Sequence, residues 1–182
     1  MKYLLEGQET ERLLFRKVMW SDFDTWLDFH KNPITFRYWI SEKESPENEC
    51  QKWYEKQFNR YKHDLGGMNV LIEKQTGKLI GHAGLLVQNI DNIPELEVAY
   101  SLLPEFWSKG YATEAAKKCR DFAFENNYSD SLISIISLTN KPSENVALKN
   151  GMTIDKITQY NGNKVNVFRI HEKKWHKISG ES

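Results

Sequence analysis

Hydrophobic and polar positions along the chain switch between two periods: strand-like alternation and a helical recurrence every three to four residues. Residues 10–18 (TERLLFRKV) predict a strand. Ser21 and Asp22 offer N-caps for a short helix to about His30, and Asn32-Pro33 ends it, since the residue before proline disfavours helical backbone. Ser45-Pro46 starts a second helix, with Cys50, Trp53, Tyr54, Phe58 and Tyr61 at helical spacing. Asp64–Gly67 (DLGG) predicts a loop. Residues 68–74 and 78–87 predict strands joined at Thr76-Gly77, and residues 95–103 predict another, closed by Pro104. After a glycine-containing loop at 105–111, Ala112, Ala115, Ala116, Cys119, Phe122 and Ala123 form the stripe of an amphipathic helix. Residues 132–138 (LISIISL) are almost wholly apolar, as in a strand covered on both faces. A short helix over about 143–149 stops at Gly151, and strands over 152–160 and 164–171 flank the hairpin pair Asn161-Gly162. The order β, α, α, β, β, β, α, β, α, β, β predicts a mixed α/β layer with a partly antiparallel sheet.

Composition narrows the classes. Hydrophobic residues make up 40% of the 182 and aromatics 13%, too many for a disordered chain. Neither repeats nor a Pro/Gly/Ser linker divide the chain, so a single domain over 1–182 is expected. Lys+Arg and Asp+Glu both number 25, which leaves no basic surplus for a nucleic-acid partner. No apolar run approaches the roughly 18 residues that span a bilayer. The opening MKYLLEGQETERL turns acidic too early for a secretory signal, so the expectation is a cytoplasmic protein with no membrane partner. Cys50 and Cys119 lack CxxC or CxxH neighbours, so no metal site is expected.

The candidate chemistry begins at Trp107-Ser108-Lys109-Gly110-Tyr111-Ala112-Thr113-Glu114, between a strand and a helix. Small residues at 108, 110 and 112 let backbone approach a ligand, and the unpaired first-turn N–H groups of a helix favour an anion. Thr113 adds a hydroxyl and Lys109 a mobile charge, so the loop has the makings of a phosphate cradle. The same loop equally suits an ordinary strand-to-helix turn. It has neither the Walker A nor the dinucleotide-binding spacing.

PEFWSKGYATEAA resembles the acyl-CoA-binding signature of the GNAT N-acetyltransferase superfamily, [QR]-x-x-G-x-[GA], with Gly110 and Ala112 in its last two fixed places. Trp107 stands where Gln or Arg is usual, and Ser108 where glycine is frequent. TERLLFRKVMWSDFDTW, LIGHAGL, ELEVAYSLLPEFW, TNKPSENVALKNGM and VFRIHEKKW resemble, in order, further segments of the Rim-type branch, which acetylates ribosomal-protein alanine N-termini. The resemblance covers about residues 10–175. It implies the GNAT fold: a largely antiparallel, twisted mixed sheet of six to seven strands with about four helices, splayed between the fourth and fifth strands. It also implies acetyl-CoA as co-substrate and an amine acceptor, small molecule or peptide, in a monomer or homodimer.

A lysine side chain or an α-amine is mostly protonated at neutral pH, so a general base is useful. The resemblance points to Glu97 for this role, with Glu95 on the same strand face as the weaker candidate. It implies that main chain at Tyr100, Ser101 and Leu102 holds the pantetheine, with a β-bulge there opening the sheet. Trp107, Ser108, Lys109, Gly110, Tyr111, Ala112 and Thr113 would hold the phosphates, and Asn140 the cofactor or the reacting carbonyl. Many relatives carry a tyrosine on the following helix as the acid; this chain has none in Glu144–Asn150. That leaves Ser143, read either as the helix cap or as the proton donor to the thiolate, with solvent as the other donor.

His82 reads as a core or edge histidine, and Lys117, Lys118 and Arg120 either lie near the adenosine phosphates or, as the preferred reading, form a solvated helix face. Phe36, Tyr38, Trp39, Trp53 and Tyr54 serve either the acceptor wall or the core. Residues 20–64 carry nine acidic and seven basic side chains, too balanced to single out a polyamine or an aminoglycoside. A silent acyl-CoA-binding or sensory module on the same fold is the competing function.

Overall fold

All eleven elements read from the pattern occur in the computed structural model, which describes residues 1–42 and 44–180, and a helix follows the last strand. The strands are β1 (Leu13–Lys17), β2 (Gly66–Glu73), β3 (Leu79–Ile90), β4 (Ile93–Leu102), β5 (Ser131–Ser137), β6 (Thr153–Tyr160) and β7 (Asn163–His171). The helices are α1 (Phe23–Lys31), α2 (Pro46–Lys62), α3 (Tyr111–Glu125), α4 (Lys141–Lys149) and α5 (Glu172–Ser179). One seven-stranded sheet runs in the order β1-β2-β3-β4-β5-β7-β6. Its neighbours are antiparallel except β4 and β5, which run parallel.

Alternation along the strands feeds three cores, the smallest of them Ile90, Ile133, Ile135, Val165 and Val167. Leu13, Phe15, Leu71, Ile80 and Val98 pack with Ala115, Ala116, Cys119 and Ala123 of α3 on one face. Val18 and Val70 pack with Trp26 and Leu27 of α1 and Cys50 and Tyr54 of α2 on the other. Both cysteines are free and buried. Among the described residues, no helix is long and apolar enough to cross a membrane.

Some boundaries move for physical reasons. Gly66 and Gly67 belong to β2 rather than to a loop. A Cβ on Gly66 would lie 2.0 Å from the Leu85 carbonyl oxygen of β3, so the close strand approach requires glycine there. The hairpin between β3 and β4 turns on Asp91 and Asn92, both at positive φ (52° and 64°), which extends both strands beyond the pattern. Asp22 precedes α1 without capping it by side chain; its carboxylate instead takes the Arg16 guanidinium at 2.8 and 2.7 Å. Ser45 does cap α2, accepting from the Asn48 N–H at 3.3 Å.

The feature that positions the site lies at the sheet's centre. β4 and β5 share a single bridge, Glu97 with Ile133. The expected bulge at Tyr100–Leu102 is absent: β3 and β4 pair without a register shift from Gly81–Leu102 to Ile90–Ile93. The strands diverge, and side chains serve the opened edges. The Ser134 hydroxyl donates to the Val98 carbonyl at 2.8 Å, and the Trp107 indole N–H to the Leu102 carbonyl at 2.8 Å. Both acceptors are even-numbered, so alternation along β4 puts the main-chain groups of Tyr100 on the same opened edge.

Candidate active site

A cavity of about 720 Å³ occupies this gap. Leu102 and the residues after β4 bring Phe106, Trp107 and Ser108 to one end. The start of α3 adds Gly110, Tyr111, Ala112 and Thr113, and α4 adds Asn140, Ser143 and Val146. Glu97, Tyr100, Ser101, Ser134 and Ile135 line its centre. Phe29, Ile34, Arg37, Tyr38 and Trp39, from α1 and the segment after it, complete the wall, with the Arg37 guanidinium 5.8 Å from the centre of the Trp107 ring.

The loop before α3 takes the geometry its small residues permit. Ser108 and Gly110 stand at φ 60° and 84°, and Gly110 precedes the helix with no side-chain cap. The first-turn N–H groups of a 15-residue helix are therefore free of side-chain acceptors. Arg12, just before β1, braces the loop from behind. Its guanidinium donates to the Lys109 carbonyl at 3.0 Å, stacks on the Tyr111 ring at 4.2 Å and pairs with Glu114 at 2.6 Å. Burial alone would raise the Glu114 carboxyl, but bonds from Thr10 and Arg12 hold it below the usual range. The pattern gave no sign of this clamp, because Arg12 and Glu114 meet across 102 positions.

Glu97 is 7% exposed and faces the α2 side of the sheet. One carboxylate oxygen accepts from Gln88 Nε2 at 2.6 Å, the other from the Ile135 N–H at 3.4 Å. Burial raises its pKa above the ordinary carboxylate value, while those two bonds and the charges of Arg60 and Lys56 pull it back. Glu95 is absent from the cavity wall. Arg169 of β7 holds both its oxygens, at 3.0 and 2.6 Å, and also reaches Asp155 and Ser131.

At the start of α4, Asn140 is the cap: its side-chain oxygen accepts from the Ser143 N–H at 3.2 Å. The reading of Ser143 as the helix cap is thereby corrected, since Ser143 sits in the first turn and asparagine precedes Lys141-Pro142. The Ser143 side chain lines the cavity. Its carbonyl accepts from the Tyr100 hydroxyl at 3.0 Å, which ties β4 to α4, and burial pushes the Tyr100 phenol up.

The remaining candidates divide. Tyr38 and Trp39 line the cavity, whereas Phe36, Trp53 and Tyr54 do not. Trp53 and Tyr54 pack behind, in the α1–α2 core. Lys109 is also off the wall; its ammonium lies 5.2 Å from the centre of the Phe106 ring. Lys117 borders a shallower hollow with Gly110, Thr113 and Lys149. Arg120 is buried rather than solvated, and it donates to the Asn150 carbonyl at 2.9 Å. Among the described residues, no group of three or more His, Cys, Asp or Glu is arranged to hold a metal ion.

Comparison with known proteins gives the site its context. The family model for the acetyltransferase (GNAT) domain matches residues 12–153. The Bacillus subtilis protein YkkB is 36% identical over 84 residues, 46% of this chain and 49% of that protein, so the match spans about half of each. The Bacillus licheniformis protein described as uncharacterized N-acetyltransferase p20 is 25% identical over 160 residues, 84% of each chain. The crystal structure of an acetyltransferase from Agrobacterium tumefaciens C58 superposes with a TM-score of 0.77 at 26% identity, covering 92% of this chain and 95% of that one. Two further structures share the fold at lower identity. Ribosomal-protein-S5-alanine acetyltransferase from Vibrio fischeri has a TM-score of 0.71 at 21% identity, covering 93% and 98%. Spermidine N-acetyltransferase from Vibrio cholerae, in complex with CoA and spermine, has 0.71 at 18%, covering 91% and 99%. On the family match and this shared fold, the chain belongs to the GNAT acetyltransferase family.

Proposed function

We propose that this chain is one N-acetyltransferase domain that moves an acetyl group from acetyl-CoA to a primary amine by direct attack. One observation carries the reading: a single cavity runs from the free helix N-terminus of α3, through the β4–β5 gap, to the Glu97 carboxylate. The diphosphate of the co-substrate would take the N–H groups from Ser108 to Thr113, the anion that such a terminus favours. The pantetheine amides would bond to the open Tyr100 edge of β4, as an added strand would. That the neighbour from Vibrio cholerae is described in complex with CoA supports the co-substrate.

In this reading Glu97 takes the proton from the acceptor ammonium. The freed nitrogen attacks the thioester carbon, the C–N bond forms and the C–S bond breaks. As the C–N bond forms the nitrogen sheds its second proton; the departing thiolate takes a proton from the Ser143 hydroxyl, the Tyr100 phenol or water, and the nitrogen's proton replaces it. A thiol needs little help as a leaving group, so positioning and the base supply most of the rate. Burial around Glu97 suits the role, since it raises the basicity of the carboxylate.

The acceptor side favours a monoamine. Among the described residues lining the cavity, Glu97 is the one carboxylate; Lys149 lies at the Gly110 end, and away from it stand the cation Arg37 and the apolar or aromatic Phe29, Ile34, Tyr38 and Trp39. A polyamine would bring several ammonium groups to one carboxylate and an arginine. A peptide N-terminal amine brings one charge, and its first side chain meets the apolar wall. The test is release of free CoA thiol from acetyl-CoA across a panel of alanyl and seryl peptides, lysine, spermidine and aminoglycosides. The expected result is turnover highest with the peptides and at least tenfold lower with spermidine. Spermidine as the best acceptor would overturn the acceptor reading. Binding of acetyl-CoA with no turnover on any amine would make the chain a silent binding module.

A further inference from the structure

A chain of three side chains leads from the second helix to the Glu97 carboxylate. Arg60 of α2 is 7% exposed. Its guanidinium is anchored on two main-chain carbonyls, Leu65 at 3.1 Å and Val87 at 3.0 Å. Its remaining Nη2 donates to the side-chain oxygen of Gln88 on β3 at 3.1 Å. The Gln88 Nε2 then donates to Glu97 on β4 at 2.6 Å. The register makes the last step natural: Leu86 stands opposite Glu97 and Gln88 opposite Glu95, so Gln88 and Glu97 are diagonal neighbours on one face.

The chemistry of the three groups fixes the direction of the chain. Arg is donor-only, so the amide must turn its oxygen to Arg60. The NH₂ must then face Glu97, and the alternative amide orientation would set two acceptors against each other and two donors against each other. A donor locked on a carboxylate favours its charged form and fixes its plane. Arg60 stays charged and the Gln88 amide does not ionise, so the orientation of the amide is constant where the transferase would operate.

We propose that Gln88, oriented by Arg60, is a positioning residue that holds Glu97 as a correctly aimed carboxylate for proton abstraction. This rests on the reading of Glu97 as the base. Other groups also face Glu97. Lys56 and Arg60 of α2 favour its charged form. The Tyr160 phenol of β6 and Tyr100 on β4 each feel its charge. Glu95, on the same strand face, is held by Arg169. Gln88 and the Ile135 N–H are the groups that hydrogen-bond the Glu97 carboxylate.

Gln88→Leu removes the donor, and Gln88→Glu retains an acceptor for Arg60 while replacing the donor to Glu97 by a second carboxylate. Gln88 is half-buried, so both changes are compatible with folding. The measurement is kcat and KM against pH for both variants and for Glu97→Gln, with the Glu97 carboxyl followed by carbon-13 NMR. The expected result is that the acidic limb of kcat and the Glu97 titration move together to higher pH, further in Gln88→Glu than in Gln88→Leu. Below the titration midpoint kcat would fall about tenfold per unit of that movement, recover at pH 9, and leave the KM for acetyl-CoA unchanged. A uniform loss at every pH, or a titration that stays at its wild-type position in both variants, would overturn the proposal. If Glu97→Gln keeps wild-type turnover, the base reading fails instead, and the NMR titration alone still decides whether Gln88 sets the state of Glu97.

Discussion

Asn140 and Ser143 exchange the jobs that a serine three residues into a motif suggests. Asn140 carries the cap bond of α4, so Asn140→Ala is expected to cost about 0.5–2 kcal/mol of stability. Ser143→Ala touches no cap and is expected to stay within about 0.5 kcal/mol. Urea midpoints of the two variants side by side check this, and a larger loss in Ser143→Ala would contradict the assignment. Gly110 presents the opposite case, where the residue type was legible. At φ 84° with Arg12 Nη2 only 3.3 Å from a would-be Cβ, it has room for a side chain only at the clamp's expense. Gly110→Val is expected to lose about 1–2 kcal/mol from left-handed backbone strain. It should also abolish the rise in melting temperature that acetyl-CoA gives the wild type by mass action. A wild-type-sized rise in the variant would show that the loop is not the phosphate site. Glycine and small residues announce such a loop because their backbone freedom is local. Which of Glu95 and Glu97 faces the cavity was not readable, because alternation puts both on one face. What separates them is Arg169, 74 positions later in sequence. Trp107 was a departure from the family signature with no visible cause. Its indole N–H serves a carbonyl that exists unpaired only once β4 and β5 diverge.

Among the secondary elements, type and order were legible because each has its own period, while sheet edges and turns were not. The hairpin at Asp91-Asn92 lacks glycine, and α5, though amphipathic, has only eight residues and follows the last strand without a break. The opened edge between β4 and β5 depends on two strands with a helix between them in sequence, and no bulge signals it. The α1–α2 layer hides a second feature. His82 of β3 is fully buried and lies 4.2 Å from Trp26 and 4.6 Å from Trp53, ring centre to ring centre. His30 of α1 stands against Trp26 and Phe29. Among the described residues, none offers a hydrogen-bond partner to the four ring nitrogens of His30 and His82. Burial lowers His30 to about 4 and His82 well below its usual value, with Arg16 and the other histidine adding to the second and Glu49 opposing the first. Both folded pKa values lie below the unfolded value of about 6.5, so the unfolded chain binds more protons below that pH. Stability from these groups is therefore complete above about pH 6.5 and is lost as pH falls toward 4, at up to about 1.4 kcal/mol per pH unit for each histidine. Melting temperature measured from pH 7.5 to 4.5 should drop over that window, and His82→Leu should flatten the drop. A curve of unchanged slope in His82→Leu would remove His82 from the account.

At the scale of the whole molecule, the sheet's one parallel neighbour pair is also its weakest seam, and the site sits in it. Seven strands and two helical layers hold the seam open while keeping Glu97, Tyr100 and the α3 loop on one cavity. The proposed transfer needs that continuity: a co-substrate bound at one end must meet a base at the other. Binding and chemistry should therefore separate cleanly by mutation. The most direct measurement pairs acetyl-CoA affinity by calorimetry with amine-dependent release of CoA thiol, for the wild type and Glu97→Gln at pH 7. Equal affinities are expected, with amine-dependent turnover in the wild type and a loss of about 10²–10⁴-fold in the variant, the usual range for a missing general base. Acetyl-CoA binding without any amine-dependent thiol release in the wild type, or undiminished turnover in Glu97→Gln, would contradict the proposed transfer.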